Sequence, residues 1–233
     1  MSEVTLKTKA IILRRESFLE NDSRVLVYTA DFGRLDLIAR GTQKMSSKLA
    51  AHLEPLNLTE IMIIKGKQYD YLGSAISEEI FSDIKNDLDK IKIAGQSINI
   101  LNNLIKETHP DKDIFELLKN TLDFINKSDL TEFNWQRQVF TLKLISLLGH
   151  QPEVHRCVAC GKNLPAGNNK FSFNLGGIIC SQCVEAGSIR ISDQAIEILK
   201  LILERDISDT KILDINLDEV ENIIEKFRIY YFG

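Results

Sequence analysis

The chain has 233 residues, 44% of them hydrophobic and 27% charged, with a formal net charge of −4 at pH 7. That length suffices for one large domain or two to three small ones, and the apolar content is that of an ordinary packed core. The acidic balance excludes a protein that coats nucleic acid by bulk charge alone, and no apolar run reaches the roughly eighteen residues of a membrane-span candidate.

Residues 1–7 carry no basic stretch followed by an apolar one, so no export signal is read there and the expected location is a reducing cytoplasm. Charge is not spread evenly. Residues 151–233 hold 9 basic and 12 acidic side chains, whereas residues 37–53 carry Arg40, Lys44, Lys48 and His52 with no carboxylate.

From the N-terminus, short apolar runs broken by Gly, Asp and Asn predict five strands at 5–13, 24–29, 34–39, 56–65 and 69–76. Asp31-Phe32-Gly33 and Lys65-Gly66-Lys67-Gln68 read as hairpin turns, each with a glycine for a positive φ. Residues 42–53, between the third and fourth strands, are long enough for a short helix. This is the outline of an OB-fold barrel, a fold whose open face commonly takes single-stranded nucleic acid, although other small barrels share the pattern.

After Phe81 the period lengthens to that of helices. Ala94, Ile98, Leu101 and Ile105 form one apolar stripe, Phe115, Leu118, Leu122 and Ile125 a second, and Phe140, Leu144 and Leu147 a third that ends at a C-cap Gly149. These stripes read as core. Phe133 and Trp135 read as core too, with a partner pocket as the alternative. Ser192 is the predicted N-cap of a helix facing inward through Ala195, Ile198, Leu199, Ile202 and Leu203. Leu217, Val220, Ile224, Phe227 and Tyr231 form the last amphipathic face. The expected division is 1–80 barrel, 81–148 helical, 149–191 a loop-rich module, and 192–233 the helical domain resumed, giving an α+β multidomain chain.

The loop-rich module holds all four cysteines, Cys157-x2-Cys160 and Cys180-x2-Cys183, nineteen residues apart. Paired Cys-x2-Cys knuckles turn two sulfurs inward onto a tetrahedral ion about 2.3 Å away, the four-thiolate pattern of zinc. Two disulfides or four unrelated core thiols are the alternatives. Such a site has no open position, so it holds the chain rather than doing chemistry. His155 can in principle replace a cysteine, though a loop histidine is the simpler reading.

Nothing in the chain points to catalysis. There is no Gly-x-Ser-x-Gly, phosphate loop or His-Glu-x2-His, and His52, His109, His150 and His155 stand in polar, loop-like surroundings. The expectation is a protein that is not an enzyme. Its candidate binding residues are basic and aromatic. Arg34, Asp36, Ile38 and Arg40 alternate onto one face of the third strand, with the two arginines about 20 Å apart. Lys44 and Lys48 follow Arg40 at four-residue spacing, which a helix would align. Arg14, Arg15, Lys65 and Lys67 extend the set, and Tyr69 and Tyr71 share a strand face from which to stack bases. A charged barrel exterior is the alternative.

Glu20-Asn21-Asp22-Ser23-Arg24-Val25-Leu26-Val27-Tyr28-Thr29, Gly33-Arg34-Leu35, Ala39-Arg40-Gly41, Ser47-Lys48-Leu49 and Leu53-Glu54-Pro55 resemble the N-terminal domain of the RecO family of bacterial DNA-repair proteins. Leu147-Leu148-Gly149-His150-Gln151-Pro152 leading to Cys157-x2-Cys160, and Phe171-Ser172-Phe173-x2-Gly176-Gly177-Ile178-Ile179-Cys180, are similar to that family's zinc module. The resemblance implies an OB-fold, a helical domain and an inserted zinc site. It also implies a recombination mediator that binds single- and double-stranded DNA, anneals complementary strands, and works with RecR to load RecA onto DNA coated by single-strand-binding protein. The acidic tail of that coating protein is an implied partner, and a cytoplasmic, nucleoid-associated location is implied as well. The family's DNA-facing strand residues carry over to Arg34 and Arg40. Asp36, standing between them, weakens the expected grip. A zinc-ribbon interaction protein of transcription or RNA handling, without annealing activity, is the competing reading, and a zinc hydrolase is a third.

Overall fold

A computed structural model of the chain describes residues 5–106, 108, 110–129, 135–206 and 218–233. The strands come out as expected from the alternation, with longer first and fifth members: β1 Thr5–Phe18, β2 Asp22–Thr29, β3 Gly33–Ala39, β4 Leu58–Ile64 and β5 Asp70–Glu79. They close into a barrel in the order β1-β2-β3-β5-β4. β1 is long enough to serve two neighbours. Its first half pairs with β4 and its second with β2, and a bulge between Ile12 and Arg14 turns it from one to the other. β3 and β5 close the ring as a parallel pair of only two register positions, Leu37 with Asp70 and Ile38 with Tyr71.

The period-2 pattern puts Ala10, Ile12, Val25, Val27, Leu37, Ala39, Ile61, Ile63, Leu72 and Ala75 inside the barrel. Leu53, wholly buried, plugs one end from a single 3-10 turn at Ala50–Leu53. That turn is all the helix residues 42–53 form, which corrects the expected helix. Gly41 (φ 67) breaks the chain, Lys44 N–H donates to the Gly41 carbonyl and Ser47 N–H to the Lys44 carbonyl, so the segment is a run of turns. Four-residue spacing therefore does not line Lys44 and Lys48 up with Arg40. The two hairpin glycines also differ. Gly33 has φ 66 as expected, but Gly66 has no positive φ; a Cβ there would lie 2.0 Å from the Tyr69 carbonyl oxygen. Gly66 is needed for close approach, not for handedness.

The helices follow as α1 Ser82–Lys85, α2 Leu88–Leu104, α3 Lys112–Lys127, α4 Gln136–Ile145, α5 Asp193–Glu204 and α6 Asp218–Phe232. Carboxylate or hydroxyl N-caps start three of them. Asp87 accepts from the N–H groups of Asp89 and Lys90, Asp111 from those of Asp113 and Ile114, and Ser192 from that of Ala195. Among the described residues the stripes read from the sequence are buried except at Leu147, Leu203 and Tyr231, the last half-buried at the end of α6. Leu203 is half-buried, and Leu147 is exposed because Ser146–His150 continues α4 as a wider turn that rotates the register. Gly149, at φ 89, ends that turn in the left-handed conformation expected of a terminator. Phe133, His109 and Leu217 lie outside the described residues; Trp135 is buried.

Two compact units result, Met1–Lys127 and Ser128–Gly233. The first contains the barrel with α1–α3, a grouping that crosses the division drawn at residue 80. Specific bonds account for it. Lys85 of α1 reaches the Asn57 side chain on the barrel, Arg34 of β3 donates to the Lys106 carbonyl, and Asn126 of α3 caps α1 by accepting from Asp83 and Ile84 N–H. The second unit has α4–α6 and a three-stranded sheet, β6 Lys170–Ser172, β7 Gly177–Ile179 and β8 Ile189–Arg190, in the order β7-β6-β8. Phe171 of β6 meets Phe227 of α6 edge to face at 5.5 Å, and Tyr231 donates from its hydroxyl to the Phe173 carbonyl.

Candidate nucleic-acid interface and metal centre

Since Leu37 and Ala39 point into the barrel, Arg34, Asp36, Ile38 and Arg40 lie on the outer face of β3. Arg40 stacks its guanidinium over the Tyr71 ring, 4.2 Å from the centroid. A cation over an aromatic face is a ready platform for a phosphate and a base together. Tyr69, at the end of the β4–β5 loop, meets Phe18, at the end of β1, edge to face at 6.0 Å. The loops after β1 and β4 flank the strand face that OB-folds use for oligonucleotides, so the Phe18–Tyr69 pair sits at its border. Phe18 was not among the residues singled out from sequence. Its orientation depends on the β1 bulge, which leaves no mark in the alternation pattern.

The other cations divide by how much of their charge is already spent. Arg15 is only 18% exposed and every nitrogen of its fork is engaged: Nε donates to Ser23, Nη1 to the Ala50 carbonyl and Glu54, and Nη2 to the Thr42 carbonyl. It is a strut between β1 and the 42–54 segment. Arg14 pairs with Glu16, and Lys65 with Asp70 at 2.6 Å. Lys44, Lys48 and Lys67 are exposed and make no ion pair among the described residues. The Asp36 carboxylate, expected to weaken the strand, is held by Arg24 through Nε and Nη2, at 2.8 and 2.7 Å, so its charge is balanced locally. Arg34 is half-buried and reaches Lys106 rather than joining Arg40 on the open patch.

Replacing Gly66 by alanine would drive its Cβ into the Tyr69 carbonyl, so the loop must shift and carry Tyr69 off Phe18. The expected result is weaker oligonucleotide binding, by about fivefold for one lost stacking contact, with little change in melting temperature. Fluorescence anisotropy beside a thermal scan checks it.

In the second unit the two Cys-x2-Cys knuckles converge. All four Sγ atoms lie within 4.8 Å of one another, with Cys157–Cys183 and Cys180–Cys183 at 3.7 Å and Cys160–Cys180 at 4.0 Å. A tetrahedral ion with sulfurs about 2.3 Å away sets them about 3.8 Å apart, so the donor set fits a soft tetrahedral dication. Backbone turns build the knuckles: Cys157 N–H donates to the Lys162 carbonyl, Gly161 N–H to the Cys157 carbonyl, and Cys183 N–H to the Cys180 carbonyl. Burial pushes the Cys157 thiol up, but backbone N–H groups of Cys180, Cys160 and Ala159 outweigh it and bring it down to about 6. Hydrogen bonds with Cys180 and Cys157 push Cys183 up to about 12. One thiolate forms readily there; four together require a cation. His155 stands outside the cluster, with Nε2 3.6 Å from Glu204.

Residues 1–81 match the family model described as Recombination protein O N terminal, and residues 85–233 match Recombination protein O C terminal. The chain belongs to the RecO family. It is 29% identical over 227 residues to the DNA repair protein RecO of Acetivibrio thermocellus, covering 95% of this chain and 90% of that one. It is 31% identical over 219 residues to that of Dehalococcoides mccartyi, at 92% and 86% coverage, and 26% identical over 213 residues to that of Alkaliphilus metalliredigens, at 91% and 86%. RecO membership places the chain among DNA repair proteins. No helix among the described residues is long and apolar enough to cross a membrane.

Proposed function

We propose that this RecO-family chain is a non-enzymatic mediator of recombinational repair. It binds single- and double-stranded DNA without sequence preference, anneals complementary strands, and helps RecR load RecA onto DNA coated by single-strand-binding protein, whose acidic tail it contacts. Four thiolates hold a structural Zn²⁺ that takes no part in strand handling. The observation that carries the reading is Arg40 stacked on Tyr71 beside the Phe18–Tyr69 pair, on the face of a five-stranded barrel. Stacking and phosphate contacts hold a strand without occupying the pairing edges of its bases, which is what annealing requires.

The test is an annealing assay on complementary oligonucleotides, bare and coated with the cognate binding protein, with and without RecR. Annealing should run faster than the protein-free reaction. The log affinity for a single strand should fall with log salt at a slope of about −3 if about four phosphates are neutralised. Annealing no faster than the buffer control, or an affinity indifferent to salt, defeats the proposal.

A further inference from the structure

The two cysteine knuckles are alike in spacing and unlike in surroundings. Cys157 and Cys180 are 1% and 4% exposed and pack with Ile179, whereas Cys160 is exposed and Cys183 half-buried. Each knuckle therefore has an inner cysteine and an outer one. On the first knuckle the outer one has no roof. Ala159 and Gly161 flank it, both small and exposed, and a Cβ built on Gly161 would meet no atom within 4 Å. Its charge surroundings are distinctive too. Arg156 and Lys162 bracket the first knuckle, both exposed and without an ion pair among the described residues, and residues 156–163 contain no carboxylate. The Glu153 carboxylate just upstream is already engaged by the His155 and Arg156 backbone N–H groups. The second knuckle, by contrast, is followed directly by the bulkier Val184 and the acidic Glu185.

Reactive cysteines are those held as thiolates in electropositive, accessible places. A metal keeps its sulfur ligands deprotonated, so Cys160 meets both conditions once the centre is filled. A second sulfur is at hand, with Cys180 Sγ 4.0 Å from Cys160 Sγ. We infer that Cys160 is the oxidant-reactive sulfur of this centre, and that a peroxide converts the zinc site into a disulfide and releases the ion. In the first step the Cys160 thiolate attacks one peroxide oxygen; the S–O bond forms, the O–O bond breaks, and hydroxide leaves a sulfenic acid behind. In the second the Cys180 thiolate attacks that sulfur; the S–S bond forms, the S–O bond breaks, and a second hydroxide leaves. Two sulfurs have given two electrons to the peroxide, and the ion has lost two of its four donors. The inference rests on the proposed zinc reading and extends it. The clamp becomes reversible, because a dithiol reductant with added Zn²⁺ restores four thiolates.

Full-length protein purified without chelators and treated with hydrogen peroxide tests this. A chromogenic zinc indicator should report release of about one Zn²⁺ per chain. Dimedone present during a brief exposure should label Cys160 ahead of the other three cysteines, and unreduced peptide maps made without dimedone should contain a Cys160–Cys180 link. Dithiothreitol with Zn²⁺ should return the metal content. Lys162→Glu removes one flanking cation without touching the knuckle's support, since the Lys162 carbonyl, not its side chain, receives Cys157 N–H. It should slow release about threefold at unchanged zinc content and melting temperature. Zinc that stays bound in a large excess of peroxide, first labelling at another cysteine, release without a disulfide, or a Lys162→Glu protein that releases at the unaltered rate each overturns the inference and leaves the structural zinc in place. If the purified protein carries no zinc, the zinc reading itself has failed and takes this one with it.

Discussion

Chelation of the metal, or Cys180→Ser at a sulfur whose residue is 4% exposed, is expected to unfold much of the C-terminal unit and leave the barrel intact. The small sheet around the cysteines has little core of its own: Cys157, Ile179 and Cys180 are buried together, with Val158, Leu164 and Cys183 partly buried against them. A structural four-thiolate Zn²⁺ contributes about 10–16 kcal/mol of apparent free energy in small zinc modules. That matches or exceeds the roughly 5–15 kcal/mol by which a typical domain is folded at all. The loss should spread beyond the module, because Phe171 packs on Phe227 and Tyr231 bonds to Phe173, so α6 has part of its footing on this sheet. Hydrogen exchange read peptide by peptide should show protection collapsing across β6, β7 and α6 while β1–β5 keep theirs. Chelated protein that keeps full protection over residues 152–191, or native protein that carries no metal when purified without chelators, contradicts the assignment.

The second large effect concerns the barrel face. Arg40→Glu combined with Tyr71→Ala removes a phosphate contact and the aromatic surface beneath it in one step. Stacking on one aromatic is worth about 1–3 kcal/mol per base, and the reversed charge adds repulsion of the backbone, so oligo-dT binding should weaken by about 10²-fold or more at fixed salt. The single variants should not add up to the double, because each already dismantles the stacked pair. Retention of wild-type affinity by the double variant would move the binding face elsewhere. Thermal scans accompany the titrations, since Tyr71 is half-buried and lies opposite Ile38 and Ile64.

Much of this architecture is legible in the sequence because two periodicities dominate it. Val25, Val27, Leu37, Ala39, Ile61 and Ile63 alternate so cleanly that strand and inward face follow together, and the stripes of α2, α3, α5 and α6 are as plain. What stays hidden is governed by single contacts. Residues 42–53 have the length and composition of a helix, yet one left-handed glycine and two local hydrogen bonds turn most of them into loops. Gly66 looks like a turn glycine and is instead a space-saving one, a distinction that depends on where the Tyr69 carbonyl lies. At the candidate interface, residue type marks out a region but does not say which charges are free. Arg15 and Arg40 look alike on the page. One is locked by four oxygen acceptors, two on side chains and two on the backbone, while the other lies open on a tyrosine. Lys106, at the far end of a helix more than seventy residues from Arg34, is within no local pattern at all. The cysteine pairs are the opposite case. Metal geometry restricts their spacing so tightly that the sequence alone brings the four sulfurs together.

The parallel seam between β3 and β5 has a further implication. Every other junction of the barrel is a long antiparallel ladder, but this one is closed by two register positions, with Arg40 on one bank and Tyr71 on the other. It is the junction where the ring opens most cheaply. A polymer lying over that stacked pair spans both banks and acts as a rivet. Occupancy by such a guest therefore tightens its host, and whatever prises the seam apart must also let the guest go.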